Sequence, residues 1–166
     1  MRRNKQLFLH DPENMIYGDC HRTALSFLLD LSVVDAPHFI GEWEKREELK
    51  RQGLEQEPYN WQEEQEQWLN SLGYTTADIL YGNGESDESL VQLEGLLSFM
   101  GHRNPHVYYL LGGRSPRGTN HTVVCLGGGL EWDPHPDGGF LVGPMDHGFY
   151  EVTLLLPASM KNRLSL

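Results

Sequence analysis

Three side chains in this sequence are of the types that amide chemistry requires. Cys20 follows Gly18-Asp19, His121 opens the run Thr122-Val123-Val124, and Asp133 follows Leu130-Glu131-Trp132. A thiol in the first turn of a helix lies among unpaired backbone N–H groups at the positive end of the macrodipole, and both favour thiolate. The same N–H groups can receive an oxyanion. A nearby Asp19 carboxylate would oppose the first effect. Nucleophilic sulfur also needs a base beside it and a group that fixes the base, the roles read here for His121 and Asp133.

The elements that must position these groups follow from local pattern. Asp19, after Gly18, is read as the N-cap of a helix from Cys20 to about Leu31. Cys20, Ala24 and Leu28 recur at four-residue spacing beside Leu25 and Leu29, so the sulfur stands at one end of an apolar face. Further on, Asn120–Leu126 and Leu130–Asp133 read as strands flanking Gly127-Gly128-Gly129, a hairpin signal. With Gly127 at the centre of the turn, His121 and Asp133 stand six residues to either side and face each other. A one-residue slip would turn Asp133 to the opposite face unless a bulge restored it.

The remaining elements complete an α+β order, early helices packed on a later antiparallel sheet. Helices are predicted over about Gly41–Arg51 and Tyr59–Leu72, the latter with Trp61, Gln65, Trp68 and Leu72 on one face. These tryptophans are read as core cover in preference to an aromatic substrate clamp. Tyr74–Tyr81 reads as a strand, Gly82-Asn83-Gly84 as a turn, and Asp87–Met100 as an amphipathic helix capped by Ser86. Further strands are expected over His106–Leu111 and Gly148–Leu156.

These residues resemble papain-like cysteine peptidases. The likeness lies in Gly18-Asp19-Cys20 at a helix start, His121 before Thr-Val-Val, and Trp132-Asp133-Pro134 at a strand end. It covers about residues 7–31 and 105–157, and the nearest group looks like the C39 and C39-like peptidases. The Gly-Asp-Cys-His-Arg and Asp-Pro-His-Pro segments also resemble those of small papain-like proteins from bacteria and phages. The resemblance implies a papain-like fold with the nucleophile starting the first core helix, and a Cys20, His121, Asp133 triad. It further implies an oxyanion-hole residue six positions before the cysteine, where this chain has Asn14 in place of the family's glutamine.

His135 is a candidate substrate-binding residue lining the cleft beside Asp133, against a plain loop histidine as the favoured reading. Trp132 and Arg117 are candidate substrate-binding residues; in the loop before His121, Arg114 or Arg117 could meet a carboxylate or phosphate, against an exposed turn with solubilising charge as the favoured reading. A competing reading is a metal site built from Asp133, His135, Asp137, Asp146 and His147. No HExxH spacing supports it, and neither metal nor cofactor is expected. Gly127-Gly128-Gly129 lacks the phosphate-loop pattern. His21 and Arg22 are read as structural or rim residues.

Composition sets the outer bounds. The 166 residues carry a formal net charge of −11, which disfavours nucleic acid. Between Glu42 and Glu66, nine acidic residues face four basic ones, a solvated face or a docking surface for a basic partner. Two distant cysteines make no disulfide framework, and no h-region or membrane-length apolar run is present. One domain over residues 1–166 in a reducing cytoplasm is therefore expected, free of membrane. The function expected is cysteine-dependent hydrolysis of a peptide, isopeptide or glutamine amide. The alternative is a papain-like binding protein with little turnover, capturing a host or partner factor.

Overall fold

Alternating apolar positions on two central strands set the architecture. The computed structural model describes residues 1–82 and 89–161. It contains helices α1 (Cys20–Leu29), α2 (Phe39–Arg51), α3 (Trp61–Ser71), α4 (Ser89–Arg103) and α5 (Ala158–Lys161). The strands are β1 (Tyr74–Tyr81), β2 (Tyr108–Arg114), β3 (Asn120–Leu126), β4 (Gly129–Trp132) and β5 (Tyr150–Pro157). All five form one antiparallel sheet in the order β1-β5-β2-β3-β4, so the chain is α+β.

Successive strand residues serve opposite faces. Leu110 and Val124 pack with Ala24, Leu25 and Phe27 of α1 and Leu69 of α3. Their neighbours Tyr109, Leu111, Val123 and Cys125 pack with Leu93, Leu96 and Met100 of α4. Helices thus cover both faces, with α4 on the one that the early helices leave open. Each fully buried aliphatic or aromatic side chain contributes about 1.5–3 kcal/mol.

Local chemistry sets the helix ends. His38 caps α2, its Nδ1 accepting from Gly41 N while Nε2 donates to Tyr17 O at 3.0 Å. The cap therefore starts α2 two residues earlier than Gly41 and ties it to the segment before Cys20. Asn60 caps α3 through Gln62 N and Glu63 N. Of the expected α3 face, Gln65 is buried, Trp68 packs on the core and on Phe39, and Trp61 stands edge-on to His21. Leu72 is exposed, and Leu69 holds the core position instead. Strand β1 has the predicted bounds. The expected Asn83-Gly84 part of the next turn, and Ser86, Asp87 and Glu88 at the helix start, lie outside the described residues.

The β3–β4 hairpin corrects the expected register. Leu126 pairs with Gly129 and Cys125 with Leu130, so the turn is Gly127-Gly128 rather than centred on Gly127. Between Cys125 and Val124 the register shifts, Val124 pairs with Trp132, and Glu131 is the extra residue of a bulge. One slip at the turn and one at the bulge cancel in parity. His121 and Asp133 therefore share a side of the ribbon as diagonal neighbours, not as direct opposites. The glycines are needed sterically: a Cβ on Gly127 would lie 2.7 Å from Pro105 O, and one on Gly128 2.7 Å from Leu97 O.

Candidate active site

α1 brings Cys20 half-buried to its first turn, and β3 brings His121 to its second position. His121 Nε2 lies 2.8 Å from Asp133 Oδ1, with both side chains buried. The Cys20 sulfur lies near enough to the same imidazole to favour its charged form. Because Nε2 is taken by the carboxylate, Nδ1 is the ring atom left for sulfur. Burial disfavours the charged ring, but the Asp133 carboxylate and the Cys20 sulfur outweigh it and raise the His121 pKa to about 9.

Asp133 is held by a loop wrapped around its carboxylate. Oδ1 also accepts from His135 N at 2.8 Å, and Oδ2 accepts from Phe140 N at 3.1 Å. Burial raises the carboxyl pKa, whereas His121 and the two backbone N–H groups lower it, and the donors win. Gly138, Gly139 and Phe140 all have positive φ, +64°, +109° and +55°. For a bulky residue such as Phe140 that conformation is costly, and the N–H it aims at Asp133 shows what the strain achieves.

An amino-terminal segment joins the two halves of the site. On the Cys20 side, the Asp19 carboxylate accepts from Leu7 N and Phe8 N and pairs with Arg22, while Asp19 N donates to Phe8 O. Asp19 occupies the N-cap position, but its side chain makes no cap hydrogen bond, a correction to the reading of this residue. Its negative charge is spent on Arg22 and two amides. On the Asp133 side, Lys5 Nζ donates to Asp133 O at 3.0 Å and His135 O at 2.8 Å and lies 4.3 Å from the Trp132 ring centre. Gln6 N donates to Pro134 O. Lys5 and the buried Asp19–Arg22 pair are the positioning groups that sequence reasoning missed. The Asp-Cys-His-Arg spacing held a signal for the i,i+3 ion pair, whereas nothing local announces Lys5.

The other expected site residues lie as follows. Asn14 is exposed, in a 3-10 turn over Pro12–Asn14, and its Nδ2 donates to Asp11 Oδ2 at 2.7 Å. Trp132 is half-buried under Lys5 and Arg3, its Nε1 donating to Asn4 O. His135 is buried edge-on to the His121 ring, and Arg117 donates to Gly138 O across the same loop. Arg114 pairs with Asp146, and His147 with Glu151. Among the described residues no three His, Cys, Asp or Glu side chains are grouped to hold a metal ion. No described helix is long and apolar enough to cross a membrane. Set against family models, curated proteins and solved structures, the chain finds no match in any of the three.

Proposed function

We propose that the protein is a papain-like cysteine amide hydrolase acting through Cys20, His121 and Asp133. The observation that carries this reading is one buried imidazole that bonds a carboxylate through Nε2 and whose protonation the nearby helix-tip sulfur favours. With His121 protonated at neutral pH, the sulfur faces a cation and attacks as thiolate. The thiolate adds to the substrate carbonyl, and N–H groups in the first turn of α1 receive the oxyanion. Asn14 gives its amide to Asp11, so the backbone is assigned this task. Collapse of the adduct breaks the C–N bond as the imidazolium hands its proton to the leaving nitrogen. Neutral His121 then deprotonates water, which cleaves the thioester and restores thiolate and imidazolium. Asp133, fixed by three donors, keeps the ring oriented throughout. Peptide, isopeptide and glutamine amides all fit this first step.

The test is the rate of Cys20 alkylation by iodoacetamide against pH, followed by mass spectrometry of the Cys20 peptide. The expected result is rapid labelling at pH 6 that falls about 100-fold in His121→Ala. A rate that instead climbs like that of a free thiol toward pH 8.5, unchanged by His121→Ala, assigns the scaffold to binding.

A further inference from the structure

Beside the triad lies a cation that is poised on a rigid support and lacks a carboxylate partner. Arg3, Arg22 and Arg114 each pair with an acidic side chain, and Lys5 is spent on two carbonyls and an indole ring. Arg117 makes one hydrogen bond, NH1 to Gly138 O at 2.8 Å, and no ion pair among the described residues. Its backbone is fixed by a tight turn: Ser115 N donates to Thr119 O, Gly118 N to Ser115 O, and Arg117 N to Ser115 Oγ. Ser115 is wholly buried, which anchors this turn directly ahead of β3.

The Arg117 tip lies across the loop that holds Asp133. Gly138 N donates to His135 O, and the His135 ring stands edge-on to His121 at 6.3 Å between centres. His135 Nδ1 accepts from Asp137 N at 3.1 Å, so that nitrogen carries no proton and Nε2 does. Nε2–H has no hydrogen-bond partner among the described residues. Burial and the neighbouring Arg117 charge keep the ring neutral, so the tautomer persists at neutral pH. Asp137 is 86% exposed and 3.9 Å from His135 Nδ1, and it forms no ion pair with Arg117.

We infer that Arg117 and the Nε2–H of His135 form a carboxylate clamp beside the triad, so that the preferred substrate is an amide carrying a carboxylate next to the scissile bond. A guanidinium supplies charge and paired donors for that group, and the neutral imidazole adds one directed hydrogen bond. The inference rests on the proposed hydrolase reading and sharpens its substrate class.

Two alkylating agents of nearly equal size, iodoacetate and iodoacetamide, differ in this one carboxylate. The readout is the ratio of their rates at Cys20, taken in wild type, Arg117→Gln and Arg117→Lys. The folded wild type is expected to favour iodoacetate relative to the same thiol in unfolded chain. Arg117→Gln should lower the ratio about 5- to 10-fold, Arg117→Lys should keep part of it, and added salt should shrink the difference. His121 also attracts the anion but is common to all three proteins, so the difference between variants isolates position 117. An unchanged ratio in Arg117→Gln, with iodoacetamide labelling still rapid at pH 6, overturns the clamp and leaves the hydrolase reading standing. Slow, free-thiol-like iodoacetamide labelling overturns both.

Discussion

Cys20 and Cys125 lie in one chain, packed by the same sheet, yet their surroundings differ in burial and in the groups beside the sulfur. Cys20 stands half-buried at the tip of α1 against a charged imidazole. Cys125 sits inside β3, fully buried between Tyr109 and the α4 cluster. Burial pushes the Cys125 thiol up to about 12, and the Tyr109 hydroxyl offsets only part of that. Such a thiol behaves as a small apolar side chain. The pair teaches that reactivity depends on the few groups around a sulfur, while burial alone makes cysteine inert.

The strongest way to break this contrast is Asp133→Asn. It strips His121 of its carboxylate and sets an amide NH2 where an oxygen accepted, leaving at least one of the three N–H donors without an acceptor. Alkylation of Cys20 at pH 6 should fall about 100-fold, and stability should drop by roughly 2 kcal/mol, with Cys125 unlabelled in both proteins. Equal Cys20 rates in the two proteins would remove Asp133 from the account.

A second probe reads the His121 couple through stability. Its folded-state pKa is about 9, above the unfolded value of about 6.5, so its contribution is complete below pH 6.5 and is lost as pH rises through 9. Denaturant unfolding of wild type against His121→Gln should show a gap of up to about 3 kcal/mol at pH 6 that closes by pH 10. A gap independent of pH would mean that the ring acts by packing alone.

The smallest effect belongs to the inert thiol. Cys125→Ser places a hydroxyl among apolar neighbours and should cost about 1–2 kcal/mol. The labelling profile of Cys20 should not move, and a changed profile would show that the two sites are coupled through β3.

Much of this arrangement was legible in the sequence where local rules dominate. The bounds of β1 and β3 and the start of α1 follow from alternation and helix-start signals, and the structure places them there. The hairpin was legible as a hairpin but not in register, because steric fit of Gly127 and Gly128 against Pro105 and Leu97 sets the turn. That contact is tertiary, and the bulge at Glu131 then restores the parity. Asp19 was read as an N-cap because caps are local; its actual donors lie on residues 7 and 8, across a loop. Lys5 carries no local signal of a role, and only the fold brings it to Asp133 and His135. The three candidate residues were identifiable by type, whereas most of those that hold them were not.

The proposed coupling of Cys20 to Asp133 through one imidazole is read out by titrating His121 in nitrogen-edited NMR spectra. A pKa near 9 is expected in the wild type. A clear fall is expected in Cys20→Ala, because the sulfur is one of the two groups that hold the proton on the ring. A ring that titrates near 6.5, or one that ignores loss of the sulfur, would contradict the coupling.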